Sequence, residues 1–164
     1  MNARPLSPSA QFSALLSRFS PEIVSLVKRC LPRLRRAFPG SYQLVYDYSN
    51  SLVVAFGKSE RGYEAVVALA IYPHSVRLYF GAGKALPDPK GLLEGSASKV
   101  RFVTLKAASD LDHKDIRALI NAAIKHSGVT FPRTGSTRLV IKSASKKRSK
   151  SVSKKQNPRR MGRA

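Results

Sequence analysis

The sequence predicts an α+β fold: an antiparallel sheet of five or six strands with N- and C-terminal helices packed on one face. Three observations carry that expectation. Apolar residues recur at helical spacing through the first forty positions, the period drops to two at Tyr42, and helical spacing returns after Asp112. A run of strands bounded by helices, rather than strands alternating with helices, marks an antiparallel sheet covered by helices.

Ser7-Pro8 opens the first helix, because serine offers an acceptor to free amides and proline is preorganised for the first helical position. Phe12, Leu15, Leu16 and Phe19 then form a single apolar stripe. Ser20-Pro21-Glu22 repeats the start signal, and Ile23, Val27, Cys30, Leu31, Leu34 and Phe38 form a longer stripe that Pro39-Gly40 ends. Pro32 lies within it and is expected to kink or split the helix, since its ring removes a donor and crowds the preceding turn. Tyr42, Leu44, Tyr46 and Tyr48 alternate with Gln43, Val45 and Asp47, and Ser49-Asn50-Ser51 turns the chain into a second strand over 52–56. A third strand over 63–72 follows a polar loop, and Pro73-His74-Ser75 leads to a fourth over 76–80. Connections this short make a meander of hairpins. A loop rich in Gly and Pro separates them from a fifth strand over 100–105. Asp112 is placed as the cap of the last helix, with Ile116, Leu119, Ile120, Ala123 and Ile124 toward the core and Gly128 closing it. Residues 137–141 are read as an added edge strand.

Charge divides the chain unevenly. Of 30 Lys+Arg, twelve follow Pro132, whereas all nine Asp+Glu precede it. The expected organisation is a helical segment over 1–20, the α+β domain over 21–131 and a basic, largely disordered tail over 132–164. The tail contains a small duplication, Lys142-Ser-Ala-Ser-Lys-Lys-Arg148 echoed from Lys150 to Gln156, with no aromatic residue to offset the entropy of ordering. Apolar content of 43% excludes disorder of the whole chain. The single Cys30 rules out an internal disulfide framework and suits a reducing compartment. The longest apolar run, from Val66 to Tyr72, is far short of a membrane span, so a soluble cytoplasmic protein is expected.

Pro39-Gly40 before a Tyr-rich strand, Gly81-Ala-Gly83-Lys84 with Leu86-Pro87-Asp88-Pro89, Leu93-Glu94-Gly95, Ser98-Lys99-Val100-Arg101 and the closing Ile116/Leu119/Ile120 helix resemble the YdhG-like family. This is a bacterial domain of mostly unknown function, and the resemblance covers roughly residues 21–124. It implies an α+β sheet-and-helix domain and, through one branch, frataxin-like iron delivery. This chain departs from that branch in having few acids, Gln43 where a carboxylate is common, and no second glycine in Gly95-Ser96-Ala97-Ser98.

No nucleophile–base pair declares itself, so no catalytic residue and no cofactor are expected. Cys30 sits on an apolar stripe and reads as a core residue. His74, His113 and His126 lack partners at metal-ligand spacing. Gly81-Ala-Gly83-Lys84 invites a phosphate-loop reading, but Tyr79 and Ala85 stand where the motif needs Gly and Ser or Thr, so a structural turn is expected. Asp110, Asp112 and Asp115 form the one local carboxylate cluster; their place at a helix start explains them as caps, and no metal site is assigned. All six tyrosines fall within the meander. Sharing a sheet face with Arg77 and Lys58 they would make a stacking platform, although tyrosine is also simply a good strand former.

The expected function is that of a non-enzymatic binding module whose tail holds nucleic acid non-specifically through phosphates. The residues assigned to this are Arg138, Lys142, Lys146, Lys147, Arg148, Lys150, Lys154, Lys155, Arg159 and Arg160. Lys28, Arg29, Arg33, Arg35 and Arg36 make a secondary basic patch, for which dipole complementation and solvation are the simpler account. The alternative is an intracellular carrier or chaperone of iron or another small ligand.

Overall fold

A computed structural model describes residues 3–142. Each of the first two helices begins at the expected serine. The Ser7 hydroxyl accepts from the Ala10 amide at 3.2 Å and opens α1 (Pro8–Leu16), while Ser20 accepts from Ile23 at 3.4 Å and opens α2 (Pro21–Ala37). Pro32 does not split α2, which runs unbroken through it. Pro32 and Lys28, whose carbonyl the ring leaves without its donor, are both exposed, so water can take the orphaned acceptor.

The strands are β1 (Tyr42–Tyr48), β2 (Ser51–Gly57), β3 (Ala65–Ile71), β4 (Val76–Phe80) and β5 (Arg101–Leu105). Short turns join the first four as antiparallel neighbours, and β5 pairs antiparallel with β4. The helix α3 (Lys114–Ser127) follows and ends at Gly128, whose φ of +68° is the left-handed closure that glycine permits. The chain then crosses to the far side of the sheet, where β6 (Arg138–Lys142) completes the order β5-β4-β3-β2-β1-β6.

The expectation of an antiparallel sheet needs one correction: β6 pairs with β1 in parallel, so the six-stranded sheet is mixed, although mostly antiparallel. The turn at Pro39-Gly40 supplies the reason. Gly40 has φ +70°, its amide donates to the Gly135 carbonyl at 3.2 Å, and a Cβ there would lie 2.5 Å from Pro132 Cγ. The returning chain is thus seated beside the start of β1, and the Arg138 amide bonds the Ser41 carbonyl at 2.9 Å. Entering from the end where β1 begins, it can only run alongside β1 in the same direction.

Alternation divides the strand residues into two sets. Val45, Leu52, Val54, Phe56, Val67, Leu69, Ile71, Val76, Leu78, Phe80, Val103 and Leu105 join the buried side chains of all three helices in one core. Phe38 fastens the end of α2 into it, with ring centroids 5.6 Å from Phe56 and 5.5 Å, edge-on, from Phe131. Among the described residues, no helix is long and apolar enough to cross a membrane.

Candidate nucleic-acid interface

The other set of strand residues has a different chemistry. The pairings align Val140, Leu44, Ala55, Ala68, Tyr79 and Phe102 in one row across the sheet, and Lys142, Tyr46, Val53, Ala70, Arg77 and Thr104 in the next. A third row begins Arg138, Tyr42, Gly57. Leu44, Ala55 and Ala70 are buried here, yet they stand outside the core shared with the helices. Tyr48 is 47% exposed and stacks on Tyr46 at 6.3 Å and 16°. Tyr42, Tyr46, Tyr48 and Tyr79 therefore do lie on one alternation with Arg77, whereas Tyr63 sits apart, in the turn before β3.

Arg77 is held between rings. Its guanidinium lies 4.5 Å from the Phe102 centroid and 5.3 Å from that of Tyr72, while Tyr79 packs on Phe102 at 5.1 Å. Among the described residues its Nε is buried without a hydrogen-bond partner. The Tyr72 and Tyr79 hydroxyls are 3.1 Å apart. Burial, and then the bond with Tyr79, push Tyr72 up to about 12, so it stays neutral at physiological pH. Tyr46 is also raised, by burial first and by neighbouring Tyr48 second.

Of the ten basic residues assigned to the tail, the structure describes two. Arg138 and Lys142 lie at the two ends of β6, on the alternation of the tyrosines. Arg138 donates to the Tyr42 hydroxyl at 2.7 Å with its guanidinium 5.3 Å from the ring centroid, and Lys142 pairs with Glu60 at 3.7 Å. Lys146, Lys147, Arg148, Lys150, Lys154, Lys155, Arg159 and Arg160 lie outside the described residues.

Residues of the secondary patch on α2 border two clefts. Lys28 and Arg35 border a small cleft with Phe12, Leu16 and Leu139, and Arg35 reaches the Gln43 side-chain oxygen at 3.4 Å. Arg33 and Arg36 instead border a cleft of about 440 Å³ between α2 and α3, together with Arg117, Asn121 and Asp112. Asp112 is bound by Arg33 at 2.9 Å, which leaves Arg36 and Arg117 without an acidic partner among the described residues.

That contact also corrects the expected role of Asp112, which does not cap α3. His113 is the cap, its Nδ1 accepting from the Asp115 amide at 3.3 Å. Asp110 accepts from the amides of Lys106 and Ala107 at 2.8 and 3.1 Å, closing the turn before the helix, so only Asp115 lies in the first turn of α3. The three carboxylates thus serve three separate jobs. Among the described residues, no group of three or more His, Cys, Asp or Glu is arranged to hold a metal ion.

Cys30 is fully buried in the core, and burial pushes its thiol up to about 11. Gly83 is enclosed for a packing reason: a Cβ would meet Arg101 Cβ at 2.4 Å and its amide nitrogen at 2.8 Å, where the Lys84 amide bonds the Lys99 carbonyl at 2.9 Å.

Sequence reasoning named the tyrosines and Arg77 but missed the small residues between them. Ala55, Ala68 and Ala70 are unremarkable one by one; only strand registration sets them side by side. Phe102 was missed as part of this cluster because β5 is distant in sequence from β1. A comparison with family models, curated proteins and solved structures finds no match to this chain.

Proposed function

We propose that this protein is a nucleic-acid-binding module, of YdhG-like type and without catalytic activity, that engages phosphates through the bases following Pro132. In this reading the three helices cover one sheet face and leave the second to the ligand. The observation that carries it is the placement of Arg138 and Lys142 on edge strand β6, beside the tyrosines, at the root of a sequence that adds nine more bases and no acid. Such a sequence neutralises successive phosphates and releases counterions, which gives affinity with little sequence preference and a steep dependence on salt. Arg36 and Arg117 in the α2–α3 cleft, without an acidic partner among the described residues, add a weaker phosphate contact.

The test compares the full chain with a full-length variant in which Lys146, Lys147, Arg148, Lys150, Lys154, Lys155, Arg159 and Arg160 are all replaced by Gln. Keeping the length preserves β6, which pairs with β1. If six or more phosphates are engaged, wild-type affinity falls on the order of a thousandfold or more between about 50 and 200 mM salt. The variant loses most of that slope. Equal affinities for the two proteins, or a slope near zero, refute the reading.

A further inference from the structure

Helical spacing shapes the cleft between α2 and α3. Arg33 and Arg36 stand three positions apart on α2, and Arg117 and Asn121 four apart on α3, so each pair shares one face of its helix. Leu34, Leu111 and Ile120 form an apolar floor between them, each 4% exposed or less. The short side chain of Ala37 leaves room between the helices. The volume, about 440 Å³, suits one small molecule or one chain end rather than a length of strand. Among the described residues Asp112 is the one acid that lines the cleft, and Arg33 holds it at 2.9 Å. Arg33 also donates to the Arg29 carbonyl at 2.9 Å, which fixes its guanidinium on the α2 wall. Arg36 and Arg117, on opposite walls, have no acidic partner among the described residues.

We propose that this cleft binds a phosphate monoester, with the phosphate between Arg36 and Arg117 and the organic body on the apolar floor. The inference rests on the phosphate contact assigned to these arginines above and narrows it from a backbone phosphate to a terminal one. A carboxylate offers its oxygens in one plane, which a single guanidinium fork satisfies. Forks on two facing helices call for oxygens on two sides, as a tetrahedral phosphate presents them. A backbone diester carries a single negative charge and a sugar on either side. A monoester carries about −1.5 to −2 at neutral pH, has three strong acceptor oxygens, and leaves only one substituent to be seated. Leu34, Leu111 and Ile120 give that substituent a surface to cover, and Asn121 adds an amide that both donates and accepts. A phosphorylated small molecule and the phosphorylated end of a strand share this chemistry.

The experiment titrates phenyl phosphate, benzoate and dimethyl phosphate into the full chain and follows backbone amide shifts by NMR. Arg36→Gln with Arg117→Gln removes both forks from exposed positions, so the core is untouched. Lys114→Gln with Lys125→Gln removes the same charge from exposed positions of α3 that do not border the cleft. We expect phenyl phosphate to give saturable shifts gathered at Leu34, Ala37, Ile120 and Asn121. Its affinity falls about tenfold or more in the arginine pair and stays within about twofold in the lysine pair. Replacing the same arginines by Lys keeps the charge without the fork and loses most of that affinity as well. Equal losses in the arginine and lysine pairs overturn the inference, as do shifts spread over the whole basic surface. Benzoate or dimethyl phosphate binding as tightly as phenyl phosphate also overturns it. Oligo-dT with a 5′-phosphate, compared with the 5′-hydroxyl form, then identifies the source. Tighter binding of the phosphorylated strand, lost in the arginine pair, assigns the cleft to a strand end; equal binding of the two strands, with phenyl phosphate still held, assigns it to a phosphorylated small molecule. A wild-type salt slope near zero for nucleic acid refutes the wider reading, whereas phenyl phosphate reports on the cleft independently of the bases after Pro132.

Discussion

Replacing Gly83 by Ala tests whether the glycine-rich turn is a phosphate-holding loop or a packing element. The new Cβ would stand 2.4 Å from Arg101 Cβ, 2.8 Å from its amide nitrogen and 3.0 Å from its Cα. Ordinary contacts between carbon atoms begin at about 3.5 Å, so the first residue of β5 must retreat by roughly 1 Å. That residue cannot retreat freely. It lies between the Lys84–Lys99 backbone bond of 2.9 Å and the paired Glu94–Phe102 bonds of 2.8 and 3.0 Å, all of which would lengthen. Overpacking of this kind costs about 1–3 kcal/mol. For a chain of this size that lowers the melting temperature by about 3–10 °C. Gly81→Ala is the control, because the nearest atom to its Cβ is the Ala65 carbonyl oxygen at 3.9 Å. Lys84→Ala is a second control, its side chain being exposed. Thermal and urea unfolding of the three variants is the assay. Gly83→Ala within about 0.5 kcal/mol of wild type, or Gly81→Ala costing as much, would refute the packing account.

Alkaline pH should destabilise the fold partly through Cys30. Its folded pKa, about 11, lies above the ordinary value of 9.0, so the stability linked to its neutral form is complete below pH 9 and is lost as pH rises toward 11. The loss amounts to about 2 kcal/mol, and urea melts of wild type and Cys30→Ala across that window should converge as pH rises. Iron titration by calorimetry should give no saturable micromolar binding, because Asp110, Asp112 and Asp115 are committed to a turn, to Arg33 and to a helix start. Saturable heat abolished by Asp112→Asn would instead favour an iron carrier.

The sequence by itself determined the elements. Ser7-Pro8 and Ser20-Pro21 start helices wherever they fold, because capping is satisfied within three residues. The change to a two-residue period at Tyr42 likewise announced the meander, since hairpins are closed by neighbours. Asp112 marks where that local reading ended: a helix-start carboxylate looked like a cap, but Arg33, seventy-nine positions earlier, claimed it. Tertiary structure alone decided the direction of β6, which its own residues cannot encode, because Leu139, Val140 and Ile141 alternate equally well in either sense. It also decided that Ala55, Ala68 and Ala70 lie together between Tyr46 of β1 and Tyr79 of β4. Alternation assigns each residue to a side of its own strand, but which strands become neighbours, and in what register, is set by packing between distant segments.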